Sequence, residues 1–150
     1  LKSTAHRMLD GEEYIDKTAN GRKIKRWRMK DNDYEIGLMK ASHINHPSNV
    51  WVRASKENYL WLNRMCNCLL LEYTHRYDKH HGCEKYGKLL YACPVNIQNN
   101  PFTEPTPAMP DEVKVAGDSI KSYHNYYINN KAHLASWKKR NKPEWYSALV

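Results

Sequence analysis

The sequence predicts an all-α fold, a compact single-domain helical bundle with long connecting loops. Residues 56–77 and the segment from Ser119 onward place apolar residues at helical spacing. Alternating polar and apolar patterns, which are typical of half-buried strands, are nearly absent. A chain of 150 residues is long enough for one domain with its own core. We therefore expect residues 1–150 to form one helical domain.

The first predicted helix covers residues 1–9. Asp10-Gly11 ends it, because a glycine just past the last turn commonly terminates a helix. Residues 12–40 are polar and contain the turn signals Asn20-Gly21 and Asp31-Asn32-Asp33, which predict loops. His46-Pro47-Ser48 predicts the turn that leads into the next helical stretch.

The longest predicted helix runs from about Lys56 to Tyr77, with Ser55 placed to cap its N-terminus. Because an α-helix turns by about 100° per residue, one face carries Asn58, Leu62, Met65, Leu69, Glu72 and Arg76. A shorter helix is predicted over residues 84–92 and ends at Cys93-Pro94. Residues 94–117 hold five of the seven prolines and predict a loop. Asp118 then caps a helix from Ser119, with Leu134 and Trp137 still at helical spacing.

The charge balance favours a polyanionic partner. Lys and Arg number 24 against 16 Asp and Glu, which gives a net charge of +8. Residues 21–30 contain six cations and one tryptophan. A basic run with an interleaved aromatic residue can bind phosphates while the ring stacks on a base. The alternative for this run is a solvated surface loop.

Several classes of protein are disfavoured by what the sequence lacks. It contains no apolar run long enough for a membrane span and no secretory signal at its start. The spacing of Cys66, Cys68, Cys83 and Cys93, even with His75, His80 and His81 nearby, fits no common zinc finger. We expect reduced free thiols, no metal, no cofactor and a monomeric cytoplasmic protein. A phosphate-cradling glycine loop, a GxSxG elbow and an HExxH helix are also absent, which disfavours nucleotide hydrolysis, serine hydrolysis and zinc proteolysis.

Four polar residues are candidates for a pocket between helices, namely His46, Asn58, Glu72 and Arg76. Glu72 and Arg76 stand at i,i+4 on one helix, a spacing that suits either a structural ion pair or an active-site pair. His43 and His46 can act as a base or bind a phosphate, and they can equally serve in a turn or a helix cap. We hypothesise that the four pocket candidates surround a flipped nucleotide.

Three segments match segments of a known family in the same order along the chain. They are Ala19-Asn20-Gly21-Arg22-Lys23, Gly37-Leu38-Met39-Lys40-Ala41-Ser42-His43 and Pro143-Glu144-Trp145-Tyr146. They resemble the bacteriophage pyrimidine-dimer DNA glycosylase (endonuclease V) family. A closer likeness, to uncharacterised phage proteins related to that family, spans most of the chain. Its pattern comprises His43-x2-His46-Pro47, Trp51, Ser55-x2-Asn58-Tyr59-x-Trp61-Leu62, Glu72-Tyr73-x2-Arg76-Tyr77, His80, Ala108-Met109-Pro110-Asp111-Glu112, Tyr126-Tyr127-Ile128 and Trp137-Lys138-Lys139-Arg140.

The resemblance implies an endonuclease V-like helical fold that binds damaged duplex DNA in the cytoplasm of an infected host cell. It implies cleavage of the N-glycosidic bond of a damaged or modified pyrimidine through a Schiff base. In the family the nucleophile is the α-amine of the mature N-terminus, assisted by a glutamate of the first helix. We expect both groups in a segment upstream of Leu1, so the nucleophile is not assigned to a residue of this chain.

The DNA contacts are expected from basic residues on phosphates and from aromatic rings near the bases. The expected phosphate contacts are Arg22, Lys23, Lys25, Arg26, Arg28, His43, Lys138, Lys139 and Arg140, and the expected rings are Trp27, Trp145 and Tyr146. Two alternatives remain. One is a non-catalytic DNA-binding or inhibitory phage protein, and the other is an enzyme acting on a small nucleotide or another metabolite.

Overall fold

Helices and one antiparallel sheet make up the computed structural model, which describes residues 1–147. In chain order its elements are α1 (Lys2–Asp10), β1 (Glu12–Lys17), β2 (Lys23–Arg28), α2 (Asn32–Gly37), α3 (Pro47–Arg53), α4 (Lys56–Tyr77), α5 (Gly87–Leu90), α6 (Ser119–Asn129) and α7 (Glu144–Ser147). Short 3₁₀ turns cover Gly82–Tyr86, Asp111–Val113 and Ala132–Leu134. The all-α prediction is therefore wrong, and the fold is a helix-rich mixed domain.

The sheet is a hairpin in the region predicted to be loops. Glu12 pairs with Arg28 at one end and Lys17 with Lys23 at the other. The strands are joined by a tight turn in which Gly21 adopts a φ of 77°, a conformation that favours glycine. The sequence does not predict the hairpin, because charged residues fill most positions of both strands and hydropathy therefore shows no period of two. The Asn20-Gly21 pair was its one strong local signal.

The predicted positions of α1 and α4 are confirmed. The hydroxyl of Ser55 accepts hydrogen bonds from the first-turn amides of α4, and the helix ends at Tyr77, followed by the C-cap Asp78 with a φ of 52°. Gly11 ends α1, but its backbone is extended rather than left-handed. A glycine is needed there because a Cβ would lie 2.4 Å from the carbonyl oxygen of Arg7 and 3.2 Å from that of Arg28.

Two other helices are shorter than predicted. In place of a helix over residues 84–92, a 3₁₀ turn leads into the single turn of α5. Asp118 caps α6 as expected, but this helix ends at Asn129, so Leu134 and Trp137 do not continue it. The predicted loop over residues 94–117 is confirmed, with one short 3₁₀ turn within it.

The core forms where α1, α3 and α4 meet. Its buried apolar residues are Ala5, Trp51, Val52, Tyr59 and Leu62. The proline-rich loop drapes over this core, because the indole Nε1 of Trp51 donates to the carbonyl of Thr103 at 3.1 Å. The loop therefore belongs to the domain and does not divide it.

A buried arginine joins the hairpin to the helices. All the N–H groups of Arg7, which is 3% exposed, find acceptors. These are the carbonyls of Trp27, Glu35, Leu38 and Met39 and the Oε2 of Glu35, at 2.6 to 2.9 Å. The carboxylate of Glu35 also accepts from the amide of Met29 at 2.8 Å. One side chain of α1 therefore positions both β2 and α2.

The thiols of all four cysteines are free. Among residues 1–147, no three His, Cys, Asp or Glu side chains are grouped so that they could hold a metal ion. No helix in that part of the chain is long and apolar enough to cross a membrane.

Candidate functional site

A cavity of about 630 Å³ lies between the start of α1, the second half of α4 and residues 81–90. We call it the α1–α4 cavity. Its volume falls within the range of small-molecule sites, about 300–1,000 Å³. Leucines and tyrosines are the commonest residues of its wall, and they include Leu62, Leu69, Leu70, Leu90, Tyr73, Tyr77 and Tyr86. Charged groups at its edge come from Lys2, Glu72 and Arg76.

Aromatic rings form one side of the α1–α4 cavity. The ring centroid of Tyr73 lies 4.8 Å from that of Tyr77 and 4.8 Å from that of His81, with the imidazole nearly perpendicular to the phenol. Such a wall offers flat faces and ring edges to a planar ligand. The cavity is therefore suited to an aromatic or apolar ring system.

Glu72 lies between two guanidinium groups. Its Oε1 accepts from Nε of Arg76 at 2.6 Å, and its Oε2 accepts from Nη2 of Arg140 at 2.9 Å. Hydrogen bonding lowers the pKa of Glu72 to about 2, with the larger effect from Arg140 and the smaller from Arg76. A carboxylate that stays ionised at neutral pH cannot donate a proton in a reaction. The geometry therefore favours the ion-pair interpretation of Glu72 and Arg76 over a role as general acid.

The segment 136–140, which we call the basic strap, lies against the C-terminal end of α4. The guanidinium of Arg76 donates to the carbonyl of Ser136 at 2.9 Å, and the imidazole Nε2 of His75 donates to the carbonyl of Lys139 at 3.1 Å. The ammonium of Lys139 pairs with Asp78. Lys138 lies with its Nζ 5.0 Å from the ring centroid of Tyr77. Lys138, Lys139 and Arg140 are thus all engaged with α4.

Lys2 lines the α1–α4 cavity and carries a primary amine. Its Nζ donates to Oδ1 of Asn63 at 2.7 Å. Burial of the side chain lowers the pKa of Lys2 below its ordinary value, because desolvation disfavours the ammonium form. Lysine acts as a nucleophile in its unprotonated form, and a lowered pKa increases the fraction of that form.

The structure does not bring His46 and Asn58 to Glu72 and Arg76. His46 is exposed and caps α3, with its Nδ1 accepting from the amide of Ser48 at 3.2 Å. Asn58 and Glu72 lie on the same face of α4, but 14 residues separate them by about 21 Å along the axis. The predicted four-residue pocket is therefore not formed, and only Glu72 and Arg76 reach the cavity.

Asn58 is instead a structural residue of the core. Its amide nitrogen donates at 2.9 Å to the carbonyl of Trp51 and to the hydroxyl of Thr103. Its amide oxygen accepts from the backbone N–H of Thr103, also at 2.9 Å. Asn58 is 0% exposed, so a ligand cannot reach it without displacing the proline-rich loop.

The basic run lies on β2 and its turn. Arg22, Lys23, Lys25 and Arg28 are exposed, whereas Arg26 is half-buried. Lys25 pairs with Glu13 at 2.8 Å, and Arg26 lies 3.9 Å from Asp16. The guanidinium of Arg28 lies 4.8 Å from the ring centroid of Tyr14.

Two cations at the turn are available for a ligand. Among residues 1–147, Arg22 and Lys23 have no acidic partner. Trp27 is only 8% exposed, so its ring packs inward and cannot stack on a base. His43 is exposed, with a φ of 48°, and its carbonyl accepts from the amide nitrogen of Asn49 at 2.8 Å.

The C-terminal aromatic residues pack on α6 and on the basic strap. The ring of Trp145 stacks on that of His124 with centroids 3.9 Å apart and planes 2° from parallel. Tyr146 is 7% exposed and lies 4.6 Å, centroid to centroid, from Trp137. Tyr146 therefore has no accessible face for a base, and one face of Trp145 is covered.

No family model matches the chain, and neither the curated proteins nor the solved structures include a significant match. Sequence reasoning missed Lys2 and His81 as cavity residues. Tyr73 was named only as part of the resemblance. No sequence pattern groups these three residues, which the fold brings to one cavity.

Proposed function

We propose that the protein binds duplex DNA through the β1–β2 hairpin. The observation that carries the proposal is the pair of exposed cations at the turn, Arg22 and Lys23, without acidic partners among residues 1–147. The net charge of +8 supports it, since positive charge attracts the phosphate backbone. A two-stranded antiparallel ribbon also has a width that the major groove of B-DNA admits.

The hairpin's cations differ in what a phosphate contact would cost. Lys25 would have to leave Glu13, whereas Arg22 and Lys23 break no ion pair. We therefore assign the main phosphate contacts to Arg22 and Lys23. The backbone carbonyl of Trp27 accepts from Arg7 at 2.9 Å, which attaches β2 to α1.

The test compares two double variants by equilibrium binding to a short duplex at several salt concentrations. R22A/K23A should weaken binding and reduce the slope of log K against log salt by about 1.8, because each lost phosphate contact removes about 0.9. K56A/K121A is the matched control, since it removes two exposed lysines elsewhere. Equal losses in both variants would mean that net charge alone drives binding, and salt-independent affinity would remove the proposal.

We further propose that the DNA-bound protein cleaves the N-glycosidic bond of a damaged or modified pyrimidine. The sequence resemblance to pyrimidine-dimer glycosylases supports this activity. The α1–α4 cavity supports it as well, because it combines room for a base, an aromatic wall and the amine of Lys2.

The chemistry requires an unprotonated amine at the sugar. The lone pair of Nζ of Lys2 forms a bond to C1′, and the bond from C1′ to the base breaks with its electron pair leaving on the base. The nitrogen loses the proton that the base gains, and opening of the sugar ring gives the imine. The lowered pKa of Lys2 increases the fraction of amine available at neutral pH.

Borohydride trapping on ultraviolet-irradiated and untreated duplexes tests this activity. We expect a covalent adduct on the irradiated duplex, lost in K2R and retained in the matched control K121R. An adduct that survives in K2R would assign the amine to another residue. Salt-sensitive binding without any adduct would favour the non-catalytic DNA-binding or inhibitory protein, and tighter binding of a free nucleotide than of duplex would favour the small-molecule enzyme.

A further inference from the structure

The two terminal cations of the basic strap are paired and still accessible. Arg140 contacts both oxygens of Glu72, with Nε 3.3 Å from Oε1 and Nη2 2.9 Å from Oε2. Lys139 pairs with Asp78. The side chain of Arg140 is 52% exposed and that of Lys139 is 40% exposed. A phosphate could therefore approach either cation from solvent.

A phosphate and a carboxylate offer a guanidinium the same kind of oxygen pair. Arg140 binds Glu72 through two N–H groups, which is the forked geometry that a phosphate also accepts. Whichever anion occupies that fork excludes the other from it. The carboxylates of Glu72 and Asp78 thus occupy the positions that phosphate oxygens would take.

We propose that Glu72 and Asp78 compete with the DNA backbone for Arg140 and Lys139, which makes the basic strap a second phosphate-binding surface that is masked in the free protein. This inference rests on the proposed DNA binding and adds a second surface to the hairpin. DNA binding at the strap exchanges two internal ion pairs for two phosphate contacts. The affinity contributed by the strap is therefore lower than two unpaired cations would give.

The exchange also links the strap to the α1–α4 cavity. Glu72, Arg76 and Tyr77 line that cavity and also hold the strap. When Arg140 turns to a phosphate, Arg76 is the one ion-pair partner left to Glu72 among residues 1–147. Occupation of the strap by DNA therefore changes the charge at the cavity edge.

The first experiment measures binding of E72Q/D78N to a short duplex at moderate salt. We expect about threefold to tenfold tighter binding than for the wild type, because two surface ion pairs no longer have to be broken. E57Q/E112Q is the control for net charge, since it removes two exposed carboxylates that form no ion pair among residues 1–147. Equal gains in the two double variants, or weaker binding by E72Q/D78N, would overturn the inference.

The second experiment repeats E72Q/D78N in a K139A/R140A background. The gain in affinity should disappear there, because the competing cations are gone. A gain that persists would show that the carboxylates act on DNA by general repulsion, and this would also overturn the inference. Wild-type protein that does not bind duplex at all would instead contradict the proposed function, so the two failures are distinguishable. Melting temperatures of each variant confirm that it is folded.

Discussion

Nε2 of His6 lies 2.9 Å from the hydroxyl oxygen of Tyr59, and this hydroxyl donates in turn to the carbonyl of Leu90 at 3.0 Å. The same Nε2 is 3.2 Å from the carbonyl of Ala92. Because a carbonyl can only accept, Nε2 carries the proton and donates it. This buried chain of hydrogen bonds joins α1, α4 and the end of α5. Leu90, whose carbonyl ends the chain, lines the α1–α4 cavity.

The burial of His6 predicts a loss of stability on mild acidification. Burial lowers the pKa of His6 below its ordinary value of 6.5. In the unfolded chain the imidazole protonates as the pH falls through 6.5, whereas in the folded protein it stays neutral to lower pH. The stabilisation is therefore complete above that pH and is lost as the pH falls toward the folded pKa.

The measurement is urea unfolding of the wild type and H6N at several pH values above and below 6.5. The unfolding free energy of the wild type should fall more steeply with decreasing pH than that of H6N. H133N is the control, since His133 is exposed, and it should keep the wild-type slope. Parallel curves for wild type and H6N would contradict the assignment.

Removing the hydroxyl of Tyr59 should destabilise the fold. Y59F leaves the buried carbonyl of Leu90 without its donor, at a cost of about 1–3 kcal/mol. The measurement is the free energy of unfolding in urea, with Y123F as control because Tyr123 is exposed. A loss no larger than that of Y123F would show that the hydroxyl is not essential to the packing.

Arg7 should tolerate no replacement, including lysine. R7K keeps the charge but offers fewer N–H groups in a different geometry, so several of the buried acceptors lose their donor. We expect a loss of about 3 kcal/mol or more in unfolding free energy. R64K is the matched control, because Arg64 is exposed on α4. Equal stability of R7K and R64K would contradict the role of Arg7 in joining the hairpin to α1.

The elements that could be predicted are those specified by neighbouring residues. The N-caps Ser55 and Asp118 and the apolar spacing after them are local signals, and they located the starts of α4 and α6. The hairpin is different, because its strands carry cross-strand charge pairs such as Lys25 with Glu13 and it is attached to the helices through Arg7. Neither leaves a periodic pattern in hydropathy.

The candidate site was predicted only in part for a geometric reason. A helical face groups residues by angle and ignores their distance along the axis, so Asn58 and Glu72 were placed together although α4 holds them far apart. Glu72 and Arg140 are 68 positions apart in sequence, so no local sequence pattern predicts their contact. The resemblance named residues from both segments, but it did not pair them.

Replacing Asn58 should affect stability rather than turnover. N58A removes the hydrogen bonds to Trp51 and Thr103 and loosens the proline-rich loop, at a cost of about 2–4 kcal/mol. The unfolding free energy measures that cost, and borohydride trapping below the melting temperature measures the proposed glycosylase activity. A folded N58A protein that forms no adduct would instead support a catalytic role for Asn58.

The last prediction concerns the ion pairs that hold the basic strap. Arg140 and Arg76 lower the pKa of Glu72 from its ordinary value of 4.5 to about 2. A carboxylate with a lowered pKa stabilises the folded state above its unfolded pKa and loses that effect as the pH falls toward the folded pKa. The melting temperature of wild type should therefore exceed that of E72Q near neutral pH. The two should converge between about pH 4.5 and 2, the interval bounded by the two pKa values.

E112Q is the control, because Glu112 is exposed and forms no ion pair among residues 1–147. A difference between wild type and E72Q that persists unchanged into acid would mean that shape and packing, rather than charge, hold Glu72 against the strap, and the competition with phosphate would lose its basis.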